Sequence, residues 1–156
     1  LAVLIAVAVL GVIGWLVSPV DTEDGRPLLL LPNVKKVEDF RRNARSWTED
    51  LRLLDGQLTT LLADNGDLLS QSQTGQKVFE QALNIAEDID SSQTPAALVG
   101  LKTMLAQTSL VYLDASRAVL LWISAPKQEN YDQAVLLVQT AREQLADLED
   151  SLWINP

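Results

Sequence analysis

Between positions 37 and 61 the apolar residues are Val37, Phe40, Ala44, Trp47, Leu51, Leu54, Leu58 and Leu61, in alternating steps of three and four. That spacing holds one stripe on one side of an α-helix; a half-buried strand needs a period of two. It is a heptad seam, and a helix that carries one must bury it against other helices. The same order returns in Leu98, Leu101, Leu105, Thr108, Tyr112, Ala115, Val119 and Trp122, and again in Tyr131, Ala134, Val138, Ala141, Leu145, Leu148 and Leu152. A shorter seam, Val78, Ala82, Ile85 and Ile89, lies between the first two and follows a polar stretch interrupted by Gly75.

The punctuation agrees with the seams. Asn33 reads as an N-cap, Asp64-Asn65-Gly66 as a turn, and Asp90-Ser91-Ser92 as a stop. Thr94 reads as a cap, with Pro95 at the first helical position, where its missing N–H costs nothing. Ser124-Ala125-Pro126 closes the next helix. These signals predict helices over residues 34–63, 67–90, 95–124 and 127–153. Short turns between helices of matched length favour antiparallel neighbours. The expected class is therefore all-α, with an antiparallel four-helix bundle over residues 34–156. The same seams could close between chains, so homo-oligomerisation stays open.

Residues 1–17 read LAVLIAVAVLGVIGWLV, without a charge or a strongly polar side chain. Residues 1–18 would make a helix about 27 Å long, close to the ~30 Å of a bilayer core. A secretory signal would have to be cut beside Pro19, a poor site. A processed pilin-like start usually carries Glu at its fifth position, and Ile5 stands here. A core helix would have a polar face. The expectation is a single transmembrane helix over residues 1–18, anchored by Leu1, Leu4, Ile5, Leu10, Ile13, Trp15 and Leu16, with Trp15 at the membrane–water interface. A proline-rich linker follows over residues 19–33. Its Asp21, Glu23 and Asp24, with only Arg26 among them, fit the translocated side. The N-terminus is then cytoplasmic and the bundle extracytoplasmic.

The formal net charge is −9. Lys35, Lys36, Arg41, Arg42, Arg45 and Arg52 supply half of the basic residues, interleaved with Glu38, Asp39, Glu49 and Asp50, as on a solvated, ion-paired helix face. From Leu53 onward five basic residues face fourteen acidic ones. Nucleic acid needs clustered Lys and Arg and is not an expected partner. With neither Cys nor His, the chain has no thiol or imidazole nucleophile, no Ser-His-Asp triad and no usual zinc or haem ligand set. Glu80, Glu87, Asp114, Glu143 and Asp147 fall off the seams, towards solvent. No catalytic, cofactor-binding or metal-binding residue is assigned.

The third helix is more apolar than its seam requires. Met104, Leu110, Val111, Leu113, Ala118, Leu120, Leu121 and Ile123 are additional. Leu110, Leu113, Leu120, Leu121 and Ile123, with Trp153 near the C-terminus, form the candidate partner surface.

A membrane helix followed by a four-helix bundle resembles the extracytoplasmic sensing domains of bacterial chemoreceptors. The resemblance is architectural and carries no motif, so it transfers no functional residue. The rival reading is a sensor or ligand-binding module, which predicts a cavity between helices near the polar seam residues Thr108 and Tyr112. The leading expectation is a non-enzymatic, membrane-anchored structural or accessory subunit, whose partners are the lipid bilayer and other subunits of a membrane or envelope complex.

Overall fold

The computed structural model describes residues 32–63 and 66–151, and among these the chain is helical throughout. The predicted anchor and linker, and Trp153, lie outside the described residues. The chain divides after Glu38, and the bundle is described from Asp39 onward. Four α-helices follow in order: α1, Pro32–Ala63; α2, Leu68–Ser91; α3, Val99–Ser124; and α4, Gln128–Glu149. Paired residues give the directions. Arg52 reaches Glu149 while Thr59 reaches Arg142, so α1 and α4 are antiparallel. Gly75 meets Leu120 while Lys102 reaches Asp90 and Ser92, so α2 and α3 are antiparallel as well.

The seams form the core. Phe40, Ala44, Trp47, Leu51, Leu54, Leu58 and Leu61 are buried on α1, and Ala134, Val138, Ala141, Leu145 and Leu148 on α4. Each large aliphatic side chain withdrawn from water contributes about 1.5–3 kcal/mol before its ordering entropy is charged. Phe40 and Trp47, one heptad apart, meet edge to face with centroids 5.8 Å apart. Trp122 and Tyr131, at the ends of their seams, are only half-buried. They pair edge to face at 5.2 Å across the α3–α4 turn.

Several details depart from the pattern reading. Pro32 opens α1, so Asn33 lies within its first turn rather than capping it. Residues 67–76, the polar stretch, are firmly organised: Asp67 caps α2 by accepting the Ser70 N–H at 3.2 Å. Gln71 and Gly75 are buried and extend the second seam backwards in the same 4-3 order. Gly75 is not an interruption. A Cβ there would lie 2.9 Å from Leu120 Cδ2 and 3.2 Å from Ile123 Cδ1, so its bareness lets α3 approach. Thr94 does not cap the third helix. The chain makes one 3-10 turn, Ala96–Leu98, with Leu98 N–H bonded to Pro95 O at 2.8 Å, and α3 starts at Val99. The fourth helix closes at Glu149, where the Asp150 N–H bonds Ala146 O at 2.9 Å.

Lys102 closes α2 from outside. Its Nζ donates to Asp90 O at 2.7 Å and Ser92 O at 2.8 Å, placing a cation on carbonyls that the helix end leaves free.

By length and composition, Ala96–Ser124 is apolar enough to cross a membrane, with mean hydropathy 1.3. A core helix passes the same test. Here α3 packs on both α2 and α4 and buries ten residues, among them Leu101, Leu105, Tyr112 and Val119. Its buried hydroxyls are satisfied within the helix: Thr108 donates to Met104 O, Ser109 to Ala106 O and Ser116 to Leu113 O, at 2.8–3.0 Å.

Candidate functional site

Tyr112 carries a polar group across the core, and its residue has no exposed surface. Its Oη donates to Asp55 Oδ1 over a long 3.3 Å. Asp55 Oδ2 accepts from Arg142 Nε at 3.2 Å and Nη2 at 3.1 Å, and Arg142 Nη2 also donates to Thr59 Oγ1 at 2.8 Å. One turn away Arg52 Nη2 donates to Glu149 Oε1 at 2.7 Å, while Nη1 pairs with Glu49. Burial first, and then the adjacent Asp55 carboxylate, hold the Tyr112 phenol far above its ordinary value. The arrangement keeps the phenol protonated and fixes α1 against α4. It is a clamp that ties side chains of α1, α3 and α4 together.

None of the four cavities lined by described residues alone has Thr108 or Tyr112 in its wall. The Thr108 hydroxyl turns back to its own helix, and Tyr112 is spent on Asp55. The cavities flank α1 instead. On the α4 side a groove of about 520 Å³ lies beyond Arg142, lined by Thr59, Leu62, Tyr131, Val135 and Glu143 among others. On the α2 side two adjoining cavities of about 210 and 420 Å³ share Leu53 and Gln57 in their walls.

The candidate partner residues separate. Leu110 and Leu121 point outward, 55% and 50% exposed. Leu113 and Leu120 are half-buried. Ile123 is only 7% exposed, against Gly75, and belongs to the core rather than to an outer surface. Pattern reading missed Leu136 on α4 and Leu53 on α1, exposed at 63% and 59%. Both are off-seam leucines, the same signal that singled out Leu110. Glu80, Glu87, Asp114, Glu143 and Asp147 are all exposed, and among the described residues no group of acidic side chains is placed to hold a metal ion.

The fold and its surfaces define an all-α helical bundle with apolar side chains left outside its core. No protein-family model, no curated protein and no solved structure matches the chain.

Proposed function

We propose that the chain is a non-enzymatic, membrane-anchored accessory subunit, held to the bilayer by residues 1–18 and stabilising a larger membrane or envelope assembly through its bundle. The observation that carries this reading is the outward strip on α3. Leu110 and Leu121, with half-buried Leu113 between them, share one face of a helix whose core positions are already filled by other residues. These leucines, with the exposed Asp114–Arg117 ion pair between them, offer an apolar contact with a polar centre to another protein. The uncharged run at residues 1–17 supports a task defined by place, with the N-terminus inside and the bundle outside.

The test is a photo-crosslinking amino acid placed at Leu110 or Leu121 of the full chain in its native membranes. A discrete adduct to one membrane-complex subunit, lost when the other leucine is changed to Glu, is expected. A chain that stays monomeric and uncrosslinked at both positions overturns the reading.

A further inference from the structure

We infer that the groove between α1 and α2 is a docking site for a basic amphipathic helix of a partner protein. Its shape is the first reason. The two adjoining cavities lie beside α1 between Asp50 and Leu61, about 17 Å at helical rise, the length of three turns of a docked helix. The apolar floor is Leu54, Leu61 and Ile85, and Leu53 stands 59% exposed at the centre, where the two cavities meet. Beside it Gly56 has nothing within 4 Å of where a Cβ would be. Thr60, one turn on, folds its hydroxyl back onto Gly56 O at 2.8 Å. This part of α1 therefore presents a low backbone surface beside a projecting leucine, a form that a second helix can approach closely.

Charge identifies the occupant. Asp50 and Asp88 line the same end of the groove, and no basic side chain lines any of it. Among the described residues neither carboxylate is paired or hydrogen-bonded. Gln57, Gln81 and Asn84 add unengaged amides along the walls. An apolar floor with two unpaired carboxylates at one end is complementary to a helix with leucine-type residues on one face and Lys or Arg at the matching end. The short carboxylates sit on two different helices, so a cation between them would meet both. A second copy of this acidic chain would bring like charge to the same place. The groove lies on a face other than the Leu110–Leu121 strip, so the two proposals stand or fall separately.

The chain has no cysteine, which makes a site-specific probe simple. The full chain carrying Asn84→Cys with a bimane label is placed in phosphatidylcholine nanodiscs. It is titrated with a synthetic peptide of about four helical turns, Leu on one face and Lys on the other, containing one Trp that quenches bimane on contact. Saturable quenching is expected at Asn84→Cys and not at Thr103→Cys on α3. Gly56→Leu, whose Cβ has open space around it, puts a side chain against the groove and should weaken binding by roughly tenfold or more, as loss of one central contact does. The Asp50→Asn, Asp88→Asn pair should weaken it by a similar factor and remove its salt dependence. A Leu/Glu peptide of the same design should not quench. Equal quenching at Thr103→Cys means partition into lipid only and overturns the inference. So does unchanged affinity in Gly56→Leu, equal binding of the acidic peptide, or a groove closed to both peptides by a second copy of the chain.

Discussion

The two flanks of α1 are built differently. Towards α4 the helix is fastened by side chains: Arg52 to Glu149, Asp55 to Arg142 and to the Tyr112 hydroxyl, Thr59 to Arg142. Towards α2 it carries Asp50, Leu53, Gly56, Gln57 and Thr60, and among the described residues none of these makes a side-chain hydrogen bond or ion pair to α2. The seam between the two flanks is buried from Phe40 to Leu61. A polar network across an interface fixes one register and one rotamer set. On the α2 flank Asp50 and Gln57 are exposed. Among the described residues, the side-chain bonds that α1 makes to another helix all lie on its α3–α4 side.

The largest expected effect comes from breaking the fastened flank. Asp55→Ala removes the acceptor from a fully buried Tyr112 hydroxyl and from the Arg142 fork. Loss of about 1–3 kcal/mol is expected, because the phenol cannot recover a water partner inside the core. Asp50→Ala, on the open flank, is expected to change stability by less than about 0.5 kcal/mol. Urea unfolding of the full chain, followed by helical circular dichroism, measures both. Equal losses would erase the distinction between the flanks.

A second, smaller effect appears in alkali. The folded phenol of Tyr112 is raised above its unfolded value by burial and by Asp55. Below the unfolded value, about 10, both states hold the proton and its contribution is intact. Above it the unfolded chain releases the proton while the folded one keeps it, so stability falls as pH rises, by at most about 1.4 kcal/mol per pH unit from this group. Tyr112→Phe should flatten that slope between about pH 10 and 11 while costing about 1 kcal/mol at neutral pH through the lost hydrogen bond. A slope unchanged by the substitution would mean that the phenol is not held by the clamp.

Much of the fold was legible because heptad spacing reports burial directly. The α1 positions from Phe40 to Leu61 and the α4 positions from Ala134 to Leu148 are buried where the 3-4 steps put them. The start of α2 was not legible, since Gln71 and Gly75 occupy seam positions with residue types that propensity counts against a helix core. Their burial depends on Leu120 and Ile123, which lie far away in sequence. The clamp was hidden for the same reason. Asp55, Tyr112 and Arg142 are separated by 57 and 87 positions from Asp55, and nothing local marks them as partners. Of the surface, Leu110 and Leu121 could be read from going round one helix. The α1–α2 groove could not, because a groove is a property of two helices and of the side chain that Gly56 lacks.

The smallest effect sets two glycines against each other. Both lie inside helices, where glycine costs about 0.5–1 kcal/mol relative to alanine. At Gly56 nothing stands within 4 Å of a new Cβ, so Gly56→Ala should raise stability by about that full amount. At Gly75 the same methyl meets Leu120 Cδ2 at 2.9 Å and Ile123 Cδ1 at 3.2 Å. Both are ends of side chains that can turn, so Gly75→Ala should fold, but moving two packed residues must offset much of the helix gain. The alanine at position 75 is expected to be worse than the one at position 56 by at least about 0.5 kcal/mol in the same unfolding experiment. An equal gain at both positions would mean that α2 and α3 are not held close by Gly75. A gain at Gly56 alone identifies a glycine kept against the interest of the fold, on the flank that the bundle leaves unfastened. The proposed docked helix would account for that, because its backbone would come closest where α1 has no side chain.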